Sequence, residues 1–197
     1  IKKFLNKEKP KILIHAAALS RPMSDHESNP KKSIETNIIG TCNLTVACME
    51  MDIKLIYFST NYVYPLNNKS NKENDPVLPI NNYAFSKMGG ECAVQMYKNS
   101  LILRIIMSEK PFVHKTAYSN ILTNFLYHEE VVEVIPKIIN VKGILNIGGK
   151  AQSIYNFAKL SRPHVEKINA KKILKKKYFK NQIFDIRKLK SIIKTNQ

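Results

Sequence analysis

The first half of the chain alternates between continuous apolar runs and stretches in which apolar residues recur with helical spacing. The continuous runs, which predict strands buried on both faces of a sheet, span residues 11–18, 53–59 and 101–107. The helical stretches span residues 31–51, with an interruption at Gly40, and residues 81–98. Strands and helices in this order predict an α/β fold with right-handed crossovers and a parallel sheet.

The pattern loosens after Met107 into shorter elements. It predicts helices over residues 129–140, 153–160 and 184–194, and a short strand over residues 143–147 before a turn at Gly148 and Gly149. Two polar segments that contain proline, residues 21–30 and 66–79, are predicted as loops. The second half is therefore predicted to form a small α/β portion at the C-terminal end.

A doubly wound, Rossmann-type sheet carries a Gly-rich turn after its first strand, where the backbone approaches a bound pyrophosphate. The six glycines of this chain form no such turn. We therefore interpret the chain as N-terminally truncated and its sheet as lacking the first strands. The absent portion would be roughly 60 residues, at about 30 residues for each βα unit. The alternative is a different parallel α/β fold that never contained the turn.

The formal net charge of +17 raises the question of nucleic-acid binding. Lysine, however, outnumbers arginine seven to one, with clusters in residues 171–177 and 188–194. A nucleic-acid reader would use arginine for bidentate contacts and aromatic residues for stacking. We therefore expect no nucleic acid as the primary partner, while the charge favours anionic nucleotide ligands.

Other features of the composition narrow the class of protein. The sequence has no apolar run as long as a membrane span and no leader peptide, so we expect a cytoplasmic protein without a membrane partner. The three cysteines, an odd number without metal-ligand spacing, suit a reducing compartment. The sequence pattern also predicts no metal site.

The candidate chemistry lies after the second predicted strand. This strand ends in two hydroxyl residues, Ser59 and Thr60, and Tyr83 and Lys87 follow at the start of a predicted helix. A tyrosine and a lysine beside a hydroxyl group can move a proton while a hydride moves elsewhere. The arrangement favours an enzyme that depends on a nicotinamide cofactor.

The Tyr-x-x-x-Lys spacing needs this context, because chance alone produces about one match in a chain so rich in lysine. A second match indeed occurs at Tyr155 and Lys159. Thr60 lies 23 residues before Tyr83, and the residue 23 positions before Tyr155 is Val132, inside a predicted helix. We therefore interpret Tyr155 and Lys159 as ordinary surface residues of a helix.

Seven short motifs also occur in the order and spacing of one known family. They are His15-Ala-Ala-Ala18, Thr36-Asn-Ile-Ile-Gly-Thr41, Phe58-Ser-Thr-Asn-Tyr-Val-Tyr64, Glu73-Asn-Asp-Pro76, Asn82-Tyr-Ala-Phe-Ser-Lys87 with Gly90-Glu91, Leu103-Arg104 and Gly143-Ile-Leu-Asn-Ile-Gly-Gly149. Over residues 11–150 the chain resembles the extended short-chain dehydrogenase/reductases. Within them it is most similar to the dTDP-4-dehydrorhamnose reductase branch.

The resemblance implies that NADPH or NADH reduces the 4-keto group of a nucleotide-linked deoxysugar, which would be the partner molecule. Tyr83 would be the general acid that protonates the ketone oxygen. Lys87 would hydrogen-bond the nicotinamide ribose and lower the pKa of Tyr83. Thr60, with Ser59 as its neighbour, would hydrogen-bond the substrate oxygen.

The resemblance also implies a cofactor groove. His15, Ala16 and Ala17 would line this groove with mostly small side chains. Asn37 would support Lys87 through a water molecule.

Two further residues are candidates for substrate binding. Asn61 stands where the reductase branch usually has an aspartate, a departure that bears on the substrate and on the activity. Arg104 lies inside an apolar strand, where an unpaired charge is costly. It would therefore contact either a substrate phosphate or a structural carboxylate.

By the same resemblance, residues 1–106 would be the remainder of the NAD(P)-binding Rossmann domain. Residues 107–197 would be mainly a substrate-binding portion that can interleave with the sheet, and a homodimer is compatible with the pattern. Two alternatives stay open. A sugar-nucleotide epimerase or dehydratase would use the same scaffold, although a dehydratase is expected to place carboxylates where Asn61 and Tyr62 stand. A regulatory subunit would use the fold without catalysis, as the methionine adenosyltransferase β subunit, which looks similar, does.

Overall fold

The computed structural model describes residues 1–67, 69–170 and 181–195, so that the lysine cluster at 171–177 lies outside the described residues. The α-helices are α1 Lys2–Glu8, α2 Met23–Ser28, α3 Pro30–Ser33, α4 Gly40–Glu50, α5 Asn82–Gln95, α6 His128–Ile138, α7 Ile154–Lys159 and α8 Arg187–Thr195. A π-helix, Ile34–Ile39, joins α3 to α4, and a 3-10 turn covers Asn61–Val63. The strands are β1 Ile12–His15, β2 Lys54–Thr60, β3 Ser100–Ile105, β4 Met107–Ser108, β5 Thr116–Tyr118, β6 Leu122–Thr123, β7 Leu126–Tyr127, β8 Gly143–Ile147, β9 Gln152–Ser153 and β10 Glu166–Ile168.

The central sheet has the strand order β1-β2-β3-β8. Strands β1 and β2 run parallel, with Ile12 opposite Lys54 and His15 opposite Tyr57. Every residue of β3 is buried, as the continuous apolar run 101–107 predicts. The parallel α/β sheet expected from the sequence is therefore confirmed.

Strand β1 departs from its prediction. The sequence predicts a strand buried on both faces, but in the structure Ile14 is 49% exposed. In the described sheet β1 has a neighbour on one side only, β2, so part of its apolar surface stays uncovered. The prediction of burial on both faces was wrong for this strand.

The segment 21–30, predicted as a loop, contains helix α2. The side chain of His26 in this helix is fully buried, and its ring nitrogen Nδ1 lies 2.8 Å from the hydroxyl oxygen of Ser33. Asn82 donates a hydrogen bond of 2.8 Å from its side-chain amide to Glu27. These contacts with distant residues stabilise a helix that the local sequence pattern does not predict.

Most other predicted elements form with shifted ends. The interruption expected at Gly40 does not break the helix, because the π-helix continues directly into α4. Segment 66–79 forms no helix or longer strand among its described residues, only an isolated bridge from Asn71 to Phe184. The helices α6, α7 and α8 and the strand β8 lie where the sequence predicts them, within a few residues.

The chain divides into two compact units. The first contains Ile1–Tyr64, Val77–Arg104 and Asn140–Leu145, and the second contains Pro65–Pro76, Ile105–Ile139 and Asn146–Gln197. The core of the first unit is made by residues of α1, α4, α5 and the sheet and by the residue directly before β2: Leu5, Ala47, Cys48, Ile53, Leu55, Tyr57, Val94 and Ile102. The core of the second unit is a separate, partly aromatic cluster: Phe112, Ala117, Tyr127, Phe157, Ala158 and Val165. A substrate-binding role for the second unit stays a prediction.

Within the described residues, no helix has both the length and the apolar character that crossing a membrane would require.

Candidate active site

The candidate site lies in the first unit, where the end of β2 and the start of α5 place their side chains. The strand ends at Thr60, whose hydroxyl oxygen accepts a hydrogen bond of 3.3 Å from the backbone amide of Tyr62. Helix α5 begins after Asn81, whose side chain caps it by accepting a bond of 2.8 Å from the amide of Ala84. The cap fixes the first turn of α5, and Tyr83 lies in this turn.

Tyr83 is held between two other rings. Its ring centroid lies 5.1 Å from that of His26 and 6.3 Å from that of Tyr62, both in edge-on geometry. Burial raises the pKa of Tyr83 to about 12, while a hydrogen bond with Thr60 and the charge of Arg21 oppose the rise. The phenol of Tyr83 therefore keeps its proton at neutral pH. The lowering of this pKa by Lys87 that the resemblance implies stays a prediction.

Lys87 lies one helical turn after Tyr83 and is 2% exposed. Its ammonium nitrogen is 4.3 Å from the centroid of the Tyr57 ring, a cation–π contact. The hydroxyl of Tyr57 donates a hydrogen bond of 3.1 Å to the backbone oxygen of Lys87. Burial lowers the pKa of Lys87 to about 8, and the charge of Glu91 opposes this effect. Lys87 is therefore mostly a cation at pH 7.

The residues predicted to line a cofactor groove differ in exposure. His15 is buried, and its Nε2 lies 2.9 Å from the hydroxyl oxygen of Thr41. Burial, and secondly the charge of Lys87, lower the pKa of His15 to about 4, so its ring is neutral at pH 7. Ala16 and Ala17, directly after β1, are exposed small side chains.

Asn37 joins the segment after β1 to helix α5. Its side chain accepts a hydrogen bond of 2.8 Å from the amide of Leu19 and donates one of 2.9 Å to the carbonyl of the same residue. It also donates a bond of 2.9 Å to the hydroxyl of Ser86, the residue before Lys87. Asn37 therefore supports the helix that carries Lys87 by direct contacts, and a water-mediated contact stays a prediction.

Ser59 and Arg104 both contact Glu91. The Ser59 hydroxyl donates to one carboxylate oxygen of Glu91, and the Arg104 guanidinium lies 2.8 Å from the other. Successive residues of a strand point to opposite faces, so Ser59 cannot share the orientation of Thr60. The structure gives Ser59 a contact with Glu91, and its expected place beside the substrate oxygen stays a prediction. Of the two partners considered for Arg104, the structure supplies the carboxylate.

Asn61 is buried beside Thr60. Its side-chain oxygen lies 3.5 Å from the Thr60 hydroxyl oxygen. No charge accompanies this contact, unlike the aspartate that the reductase branch usually has. A role of Asn61 in substrate binding stays a prediction.

Sequence reasoning missed several residues around the site. Glu91 could have been found, because an arginine inside an apolar strand requires a buried anion. His26 and Arg21 lie in a segment predicted as a loop and gave no signal. Among the described residues, no group of three or more His, Cys, Asp or Glu side chains could hold a metal ion.

The comparison with known proteins identifies the family. A sequence model described as the RmlD substrate binding domain matches residues 1–135. The chain belongs to this family. The resemblance inferred from the short motifs is thereby confirmed at the family level.

Individual relatives of this RmlD-family chain are distant. The chain is 30% identical over 178 residues to a dTDP-D-glucose 4,6-dehydratase of Dictyostelium discoideum. This alignment covers 84% of the chain and 37% of the relative. The chain is 31% identical over 106 residues to the methionine adenosyltransferase 2 subunit beta of Xenopus laevis. This alignment covers 53% of the chain and 31% of the relative. The chain thus spans about a third of the length of these curated relatives.

A solved structure shows the same fold. The dTDP-4-dehydrorhamnose reductase of Bacillus anthracis, crystallised in complex with NADP, superposes with a TM-score of 0.82 at 21% sequence identity. The likeness covers 96% of this chain and 77% of that structure. The fold of this RmlD-family chain is therefore of the Rossmann type, and a parallel α/β fold of a different kind is excluded.

Proposed function

We propose that the protein is an NAD(P)H-dependent reductase of a nucleotide-linked 4-keto sugar, with Tyr83 as the general acid. The observation that carries the proposal is the arrangement of Thr60, Tyr83 and Lys87. Thr60 ends a parallel strand, and the other two lie one turn apart at the start of α5. Ligands of open α/β sheets bind at the carboxyl ends of the strands, where these groups lie.

The protonation states of the two main groups support this chemistry. Tyr83 keeps its proton at neutral pH, so it can donate one to the ketone oxygen as negative charge develops there. Thr60, which is hydrogen-bonded with Tyr83, can hold the same oxygen in place. The Lys87 ammonium stabilises the phenolate that remains after the transfer.

The residues around β1 fit a nicotinamide cofactor, whose chemistry when bound is the supply of hydride to the carbonyl carbon. Ala16 and Ala17 are small and exposed at the end of β1, so a ligand can approach the backbone closely there. The Lys87 ammonium is a donor suited to ribose hydroxyls. The neutral His15 ring adds no positive charge next to Lys87.

A dehydratase is the second candidate, because the similarity to the dTDP-D-glucose 4,6-dehydratase extends over 84% of the chain. Acid/base catalysis by carboxylates would require a free acidic side chain beside Thr60. The two residues that follow Thr60 are Asn61 and Tyr62, neither of which is acidic. The nearby carboxylate of Glu91 is paired with Arg104. The side chains around Thr60 therefore favour the reductase.

The test is turnover by the protein expressed from its complete gene. With a dTDP-4-keto-6-deoxyhexose we expect oxidation of NADPH or NADH and an equal amount of reduced sugar. Formation of a 4-keto sugar from dTDP-glucose without net oxidation of cofactor would instead establish the dehydratase. Cofactor binding without either reaction would contradict both the reductase and the dehydratase. It would favour a regulatory subunit, the alternative suggested by the similarity to the methionine adenosyltransferase 2 subunit beta.

A further inference from the structure

Four buried side chains next to the candidate site form a continuous hydrogen-bond network: Ser59, Tyr64, Glu91 and Arg104. Arg104 donates from Nε to both carboxylate oxygens of Glu91 at 3.2 Å, and its Nη2 lies 2.8 Å from one of them. Arg104 also donates from Nη1 to the hydroxyl of Tyr64 at 3.0 Å. The Ser59 hydroxyl occupies the other oxygen of Glu91. The carboxylate is therefore fixed from two sides.

This carboxylate lies one helical turn after Lys87. Residues four apart on a helix are neighbours on its surface, so Tyr83, Lys87 and Glu91 follow one another along one side of α5. Glu91 is 0% exposed and Lys87 is 2% exposed. Two opposite charges therefore lie close together and largely out of contact with water, where their interaction is screened little.

Among the titratable side chains that influence Lys87, Glu91 supplies the negative charge. His15 on β1 has a neutral ring at pH 7. Burial raises the pKa of Tyr57 on β2 and of Tyr83 on α5, so both phenols are uncharged. A buried ammonium without an anion nearby tends to lose its proton. Glu91 opposes that loss.

We propose that Glu91 is a positioning residue, whose carboxylate, fixed by Ser59 and Arg104, keeps the Lys87 ammonium charged for the reaction. The inference rests on the proposed function of Lys87 and extends the motif by one helical turn, to Tyr83, Lys87 and Glu91. It also gives Ser59 and Arg104 a shared role in place of direct substrate contacts.

The experiment is a direct titration of Lys87. In protein expressed from the complete gene with 13C-labelled lysine, NMR follows each side chain against pH, and Lys87→Arg identifies the signal by its disappearance. The matched control is Glu35→Gln, which removes an exposed carboxylate of the π-helix that is paired with Lys31. We expect Glu91→Gln to lower the Lys87 midpoint by about one pH unit or more and Glu35→Gln to leave it unchanged.

A second variant guards against misfolding. Glu91→Gln leaves Arg104 buried without its anion, which destabilises proteins strongly, whereas Glu91→Gln with Arg104→Met removes both charges. The double variant should lower the midpoint by less than the single variant, because it also removes the positive charge of Arg104 beside Glu91. An unchanged midpoint in the folded single variant, or in the double variant if the single one does not fold, would overturn the inference.

The same samples separate this inference from the proposed reaction. In an active reductase, the alkaline limb of kcat/KM should move to lower pH together with the Lys87 midpoint. A shifted midpoint in a protein that reduces no nucleotide sugar would support the role of Glu91 and refute the reductase. An active reductase whose midpoint does not move would refute the role of Glu91 alone.

Discussion

At the scale of single residues, burial decides which groups carry protons. It raises the pKa of Tyr83 to about 12 and lowers that of Lys87 to about 8. Both shifts disfavour the charged form, as expected for groups removed from water. At neutral pH the site therefore combines a protonated phenol with a mostly charged ammonium, the states that proton donation to a ketone requires.

A first prediction concerns the alkaline side of the pH profile. Lys87 is charged below its pKa of about 8 and neutral above it, so kcat/KM should fall as the pH rises through about 8. Lys87→Arg keeps a positive charge up to a pH of about 12, so its residual activity should lack this decline. Steady-state rates between pH 6 and 10 test both statements. A decline near pH 8 that persists in Lys87→Arg would assign the titration to another group.

At the scale of elements, helix α5 approaches the sheet closely because Gly90 has no side chain. A Cβ atom at this position would lie 2.5 Å from the Tyr57 hydroxyl oxygen and 3.1 Å from the backbone oxygen of Asn37. The Tyr57 ring in turn lies below the Lys87 ammonium. The glycine thus allows the contact that positions Lys87.

Alanine at the two neighbouring glycines should therefore have different effects. Gly90→Ala should lower the free energy of unfolding, because overpacking costs about 1–3 kcal/mol against the ~1 kcal/mol that alanine gains inside a helix. Gly89→Ala meets only the side chain of Ile38, which is half-buried and can move, so stability should stay within about 1 kcal/mol of wild type. Urea unfolding of both variants measures the difference. Equal stability would show that α5 does not need Gly90 for its approach.

Elements with strong local patterns could be predicted from the sequence, and those fixed by distant contacts could not. Strands β2 and β3 are continuous apolar runs, and α5 has helical spacing, so each was located within a few residues. Helix α2 depends on the burial of His26 and on a hydrogen bond from Asn82, neither of which a local pattern contains. Exposure of β1 likewise depends on which strands lie beside it.

The candidate site divides in the same way. Tyr83 and Lys87 could be predicted as a pair because they lie four residues apart on one helix. Thr60 could be predicted because it ends the apolar strand that precedes them. The partner of Ser59 was not predicted, because it lies 32 residues away on α5. Protonation states were predicted least well, since they depend on burial, which a sequence does not give directly.

At the scale of the whole molecule, buried histidine makes stability depend on pH. His15 has a pKa of about 4 in the folded state against 6.5 as its ordinary value. The unfolded chain therefore binds more protons between these values, so stability is complete above pH 6.5 and is lost as the pH falls towards 4. The shift corresponds to roughly 3 kcal/mol at most.

The variant His15→Gln tests this account. It removes the titrating group and keeps an amide that can still contact Thr41, so the free energy of unfolding should depend less steeply on pH between 6.5 and 4. Some dependence should remain, because burial also lowers the pKa of His26. Denaturant unfolding at several pH values measures the slope. An unchanged slope would mean that His15 titrates normally in the folded protein.

The central claim is that Tyr83 donates the proton, and that a tyrosine four residues before a lysine elsewhere in the chain does not. The chain contains its own control, because Tyr155 and Lys159 repeat the spacing on α7 without a strand-end threonine before them. The most direct measurement compares NAD(P)H oxidation with a dTDP-4-keto-6-deoxyhexose in wild type, Tyr83→Phe and Tyr155→Phe, each expressed from the complete gene. We predict that Tyr83→Phe lowers kcat by about 100-fold or more while still binding cofactor, and that Tyr155→Phe keeps the wild-type rate. Equal rates in Tyr83→Phe and wild type would contradict the account.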